Sequence, residues 1–224
     1  MSEPENKISV RVWDRPVRVF HWLLVLTLLG SWVTGENGLM DQHLILGLTA
    51  LALVLFRIIW GFVGGEHARF ASFVKGPGAV LDYLKETRAG RHPTSLGHNP
   101  LGALAVLALL ALVLVQASLG LFANDDILFE GPLYYLVEKD FSDTLSVLHH
   151  DLFHVLMIVV IIHVVAVLSY AVFFKEDLVR PMFTGKKQVS DDTTTEAPKR
   201  RSALIALAIF AVCAALVWGL TKLG

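Results

Sequence analysis

Five apolar runs, each long enough to cross a bilayer, constrain this chain of 224 residues more than any other feature. They are approximately Val19–Gly35, His43–Gly65, Leu101–Ala123, Leu145–Phe174 and Ala203–Thr221. About 20 residues of helix rise about 30 Å, the depth of the hydrocarbon layer, and helices satisfy their own backbone there. The composition agrees, with 54% hydrophobic and 17% charged residues. Within the runs only Arg57 and Asp151 carry ordinary charges, each close to an expected membrane edge. The expected fold is an all-α integral membrane bundle.

Basic residues orient it. Lys7, Arg11, Arg15 and Arg18 precede the first run. Arg69, Lys75, Lys85, Arg88 and Arg91 follow the second, and seven more lie between Lys175 and Arg201. With Arg57 these make 17 of the 19 basic residues, leaving Lys139 and Lys222 on the other side. Cytoplasmic loops hold the excess of Lys and Arg, so the N-terminus is expected in the cytoplasm and, after five spans, the C-terminus on the outer side of the membrane. The first run is too long for a cleaved signal core. The net charge of −1 is split between the two sides, and nothing suggests a nucleic-acid partner.

Histidines stand at particular depths on these helices. His149 and His163 lie fourteen residues apart on the fourth run. At about 100° per residue they share a face to within about 40°, separated by about 21 Å. His21 sits near the inner end of the first run and His43 at the outer end of the second. Depth therefore pairs His21 with His163 and His43 with His149. Buried imidazoles in lipid normally face the bundle interior and serve a site. Two levels of two facing imidazoles, with no Cys, Asp or Glu to complete a tetrahedral zinc site, suit two stacked b-type haems. Such haems would be non-covalent, since no Cys-x-x-Cys-His sequence exists and the lone Cys213 lies in the fifth run.

Other residues fit the same expectation. Arg57 follows His43 by fourteen residues and shares its face, where a haem propionate would neutralise it; snorkelling to headgroups is the alternative. Arg18, one turn before His21, has the same two readings. Gly47, Gly102 and Gly120 would let a flat macrocycle approach the helix backbone, although small residues also promote helix–helix contact. His150 and His154 form a separate i, i+4 pair on another face, either a quinone- or proton-handling site or wet interfacial residues. His67, His92 and His98 in the second connection read as solvated or capping residues.

Along the chain, residues 1–12 read as a polar tail and Ala79–Ala89 as an amphipathic surface helix. Asn99-Pro100 reads as the cap and first residue of the third span. Ser142 or Asp143 would cap the fourth. Residues 1–187 are expected to form a four-helix membrane domain and 188–201 a polar linker, within a flexible stretch Lys186–Arg201. Residues 202–224 would then be a loosely tethered, peripheral fifth transmembrane helix. The connection Asn124–Asp143 carries six acids against Lys139 alone, a surface suited to a basic redox partner.

Several motifs are similar to the bacterial cytochrome b561 and nickel–iron hydrogenase cytochrome b family. They are Val12-Trp13-Asp14; Arg18 with Phe20-His21-Trp22; Arg57-Ile58-Ile59-Trp60-Gly61; Ala68-Arg69-Phe70; and Gly97-His98-Asn99-Pro100-Leu101-Gly102-Ala103. The His149…His163 pair, Leu178-Val179 and Thr184-Gly185 complete the set, which covers roughly residues 9–187. The resemblance implies a diheme four-helix core. It would carry electrons between the membrane quinone pool and a periplasmic c-type cytochrome, hydrogenase or other dehydrogenase subunit. A fifth helix departs from that plan. Two rival expectations are a small oxidase passing electrons from superoxide or another small reductant to quinone, and a haem-free anchor or proton-relay transporter.

Overall fold

The computed structural model describes residues 7–91, 95–190 and 201–223. In chain order the elements are β1 (Lys7–Arg11), α1 (Arg15–Glu36), α2 (Met40–Val63), α3 (Phe70–Phe73), α4 (Pro77–Arg88), α5 (Pro100–Gly120), α6 (Lys139–Phe173), α7 (Val179–Thr184), β2 (Lys186–Ser190) and α8 (Ala203–Leu220). Five of them, α1, α2, α5, α6 and α8, are long and apolar enough to cross a membrane. The side that holds most basic residues is called the basic end below, and the opposite side the acidic end.

Helix α2 is the hub. It buries Leu51, Ala52, Leu53, Val54, Phe56 and Trp60 between α1 on one side and α5 and α8 on others. Helix α6 packs chiefly on α5, and its opposite face is open, with Val155, Ile158, Ile161, Ile162 and Val165 all exposed as lipid-facing residues should be. Helices α1 and α6 share no comparably extensive contact among the described residues; Trp32 and Phe153 meet between them at 6.3 Å.

Helix α8 corrects the expectation of a peripheral fifth helix. It buries Ala206, Cys213 and Val217, and Phe210 meets Phe56 of α2 edge-on at 6.1 Å. Small side chains let its backbone come close to α2, the usual device where lipid offers no hydrophobic drive between helices. The stretch 191–200 of the expected linker lies outside the described residues.

The chain's ends carry a second correction. The expected polar tail and the start of the expected linker pair as an antiparallel ribbon, Ile8 opposite Val189 and Val10 opposite Lys187. Gly185, closing α7 at φ +78°, accepts from the backbone N–H groups of Val12 and Trp13 at 2.8 and 3.2 Å. A Cβ there would lie 2.8 Å from the Trp13 carbonyl, so both conformation and space require glycine. Half-buried Lys187 donates to the Ser95 carbonyl at 2.7 Å and pairs with Glu176, anchoring β2 to the bundle.

Helix starts follow the sequence only in part. Asn99 caps α5, accepting from the Gly102 N–H at 2.6 Å. Helix α6 begins a turn earlier than either expected cap: its N-cap is Glu138, and Ser142 is fully buried inside it. The Ser142 hydroxyl instead donates to the Phe122 carbonyl at 2.6 Å and accepts from Asn124 at 2.7 Å, tying α6 to the connection before it. The amphipathic helix α4 lies at the basic end, where the hydroxyls of Tyr83 and Tyr170 of α6 lie 2.7 Å apart and Asn99 donates to the latter at 2.9 Å. Burial and this hydroxyl pair raise the Tyr83 pKa above its ordinary value.

Candidate functional site

At the acidic end His43 of α2 and His149 of α6 face one another, ring centroids 6.0 Å apart and planes at 84°. The backbone holds both rings. His43 Nδ1 lies 2.8 Å from the Ser31 carbonyl of α1, and His149 Nδ1 lies 2.9 Å from the Gln116 carbonyl of α5. A carbonyl only accepts, so each Nδ1 carries the proton and each Nε2 keeps its lone pair for a ligand. Metal-binding histidines are ordinarily fixed in this way, through the ring nitrogen that does not bind. Two imidazoles on opposite sides of one iron, with metal–nitrogen bonds of about 2 Å, place their ring centres about 6 Å apart.

Gln116 reinforces the geometry: its side-chain amide donates to the His149 carbonyl at 2.9 Å, so one residue grips both ring and backbone. It is the only amide in an otherwise apolar run, a signal present in the sequence but not used. Two glycines stand against the rings. A Cβ on Gly120 would come 3.0 Å from His149 Cε1, and one on Gly35, also missed, 3.1 Å from His43 Nδ1. Gly47 lines the same largely apolar pocket with nothing within 4 Å of a built Cβ, so its surface there is open. A Cβ on Gly102 would meet the capping Asn99 side chain at 3.2 Å and His98 Cβ at 3.9 Å.

The basic end is built otherwise. His21 of α1 and His163 of α6 are electrostatic neighbours. Around them four buried side-chain nitrogens have no hydrogen-bond partner among the described residues: His21 Nδ1, Arg57 Nη1, Arg18 Nε and His98 Nδ1. Arg57 is only 3% exposed, its guanidinium 5.1 Å over the Phe70 ring and near Asp14, so it does not snorkel. Asp14 is itself committed, accepting from the Val17 N–H at 2.9 Å and from Trp60 Nε1 at 3.1 Å. Arg18 donates through one terminal nitrogen to the Phe183 carbonyl.

His98 corrects the reading of it as a solvated residue. Trp13 and Phe73 pack on it at 4.6 and 4.4 Å, and it neighbours both Arg57 and His163. Burial first, and the Arg57 charge second, push its pKa down to about 3, so the ring is neutral. Its place within the Gly97–Ala103 motif was the available clue. His67 is half-buried in a short turn before α3, and His92 lies outside the described residues. His150 and His154 are exposed on α6 and belong to neither histidine pair.

The donor chemistry fits haem at both levels. Imidazole nitrogens at each level are donors that would hold a haem iron. The unpartnered cationic nitrogens of Arg57 and Arg18 at the basic end are the donors that carboxylate groups on a macrocycle would accept from, and buried polar groups ordinarily find such partners.

Comparison with known proteins agrees with this geometry. A family model for prokaryotic cytochrome b561 matches residues 12–185. A probable Ni/Fe-hydrogenase B-type cytochrome subunit of Rhodobacter capsulatus is 26% identical over 84% of each chain. The probable subunit of Azotobacter vinelandii is also 26% identical, over 84% of this chain and 92% of its own. The probable Ni/Fe-hydrogenase 1 B-type cytochrome subunit of Escherichia coli (strain K12) is 23% identical over 61% of this chain and 71% of its own. No solved structure matches significantly. With most of its length matched and five apolar helices carrying the family's motifs, the chain belongs to the prokaryotic cytochrome b561 family of membrane electron-transfer cytochromes.

Proposed function

We propose that the chain holds two non-covalent b-type haems. His21 and His163 would ligate the one at the basic end, and His43 and His149 the one at the acidic end. The observation that carries this reading is the acidic-end pair, whose two Nδ1 atoms are held by backbone carbonyls so that both Nε2 atoms are presented across a 6.0 Å ring separation. Bound there, haem supplies a one-electron couple at each depth. The chain's own part is to fix the ligands, keep water away and set charge. The Ser31 and Gln116 carbonyls orient the acidic-end rings. Arg57 and Arg18 would bind propionates at the basic end, and their charge favours a reduced site there. Gly47 and Gly120 leave room beside the acidic-end rings.

The basic end faces the cytoplasm in this proposal, and the protein sits in the inner membrane. Electrons pass between the quinone pool and a periplasmic redox partner. The relatives' names favour a Ni/Fe-hydrogenase as that partner, with a c-type cytochrome or another dehydrogenase subunit as the other choices. A reduced-minus-oxidised spectrum with pyridine haemochrome quantitation on purified protein tests the core of this. Two haems per chain, reducible by quinol or by hydrogenase plus hydrogen, are expected. A protein without a haem spectrum would end the proposal.

A further inference from the structure

Helix α6 carries a cluster that neither histidine pair uses. His150, Asp151 and His154 are all exposed, and one ligand-capable atom of each lies within 4.8 Å of the others. The spacing i, i+1, i+4 brings them onto one side of the helix. The rings of His150 and His154 meet at 4.9 Å, and His150 Nδ1 lies 3.9 Å from an Asp151 oxygen. His154 Nδ1 lies 3.0 Å from the His150 carbonyl, which makes it the protonated nitrogen and leaves Nε2 free and outward.

Depth explains how three polar groups stand on a face that lipid covers. Helix α6 has 35 residues, about 52 Å at 1.5 Å each, against a hydrocarbon layer of about 30 Å. Counting about 20 residues back from its basic-end terminus reaches His154. One turn on from there, the stripe of His150 and His154 becomes Ile158, Ile161, Ile162 and Val165, all exposed and apolar. Val147 and Leu148, a turn further out, are exposed as well. A hydrocarbon layer that ends near His154 on this count would leave the trio at the acidic-end headgroup layer, open to ions from the aqueous phase.

We propose that His150, Asp151 and His154 form a binding site for a divalent transition-metal ion of the Zn²⁺ class. Two imidazoles and one carboxylate are a recurrent metal-binding set, and water completes the coordination. Ligand atoms about 2 Å from one ion stand about 3–4 Å apart, and small rotations of these unpacked side chains close the remaining distance. The site uses none of the four buried histidines, so it is independent of haem ligation. It would put a divalent charge one residue along the helix from His149.

Calorimetric titration of Zn²⁺ into detergent-purified protein carrying no histidine tag tests this, with the visible spectrum recorded on each variant as a check of the fold. One Zn²⁺ per chain is expected, weakened tenfold or more in His154→Ala and in His150→Ala, and less in Asp151→Asn. His67→Ala should bind as the unaltered protein does. A Cu²⁺ probe should show nitrogen ligation by electron paramagnetic resonance that disappears in the double variant His150→Ala/His154→Ala. Equal Zn²⁺ binding by that double variant and the unaltered protein, or no 1:1 binding at tens of micromolar, would overturn the site.

Discussion

The two histidine levels are built on opposite plans. At the acidic end every ring nitrogen facing the protein has a partner, supplied by the main chain of two neighbouring helices. At the basic end four buried nitrogens have none, and a buried arginine stands among them with an aromatic ring and a committed aspartate. The first level has its rings oriented by the main chain alone, although Ser31 Oγ and Gln116 Oε1 beside it lack partners among the described residues. The second reaches full hydrogen bonding only with an anionic group among its cations. Ring orientation can thus be fixed by carbonyls alone, whereas the basic-end cations have the Asp14 charge nearby and still leave Arg57 Nη1 and Arg18 Nε without an acceptor among the described residues.

The sharpest break would come from removing a ring on the preorganised side. His149→Ala should lower haem content from two towards one per chain by pyridine haemochrome assay, while His150→Ala keeps both. Full content in the first variant would undo the pairing. Next in size, Gly35→Val should push its new Cβ against His43 and disturb the bond to Ser31, reducing acidic-end haem occupancy, whereas Gly47→Ala has open space and should leave it unchanged. Equal occupancy in the two glycine variants would show that the rings adapt and are not preorganised.

Arg57→Gln probes the other plan. Taking away a buried cation destabilises the reduced, more negative site, so one midpoint potential should fall by roughly 60 mV, a tenfold change in a one-electron equilibrium. The acidic-end potential should scarcely move. Two unmoved potentials in a redox titration would separate Arg57 from any haem.

The smallest expected effect concerns the acidic connection above the preorganised level. Its acids are less available to a partner than their number implied. Asp125 accepts from the N–H groups of Ile127, Leu128 and Phe129, and Lys139 bonds both Asp126 and Asp143. Those backbone bonds hold the Asp125 carboxyl below its ordinary value of 3.8. A lowered native pKa means stability that is fully present above 3.8 and lost as the pH falls through the native value. Protection of the Ile127–Phe129 amides, taken relative to intrinsic exchange at the same pH, should therefore fall in strong acid, and Asp125→Asn should show the lower protection already at neutral pH. Exchange indifferent to both would show that the turn holds without its carboxylate.

The bundle was legible because length and apolarity decide it locally: five runs became five helices with ends shifted by a few residues. The cap at Asn99 was legible for the same reason. Depth and helical phase brought His43 to His149 without any knowledge of packing. What escaped depended on partners far along the chain. Ile8 and Val10 alternate with polar neighbours for only five residues, too short a signal to reveal a strand whose partner lies about 180 residues away. His98 looks polar in a polar connection until Trp13 and Phe73 close over it. Ala206 and Cys213 look like any lipid-facing residues until α2 is placed against them. Ser142 looked like a cap because the carbonyl that claims it belongs to another segment.

The ribbon of β1 and β2 has a bearing on biosynthesis. The ribbon closes the rim of the bundle at the basic end, β1 leading into α1 and β2 following α6 through α7. The second strand is residues 186–190, so the rim cannot close until every helix from α1 to α6 has been translated and threaded into the membrane. The basic-end placing of α1, with His21, against α6, with His163, is therefore completed late, after insertion of the polypeptide and not alongside it.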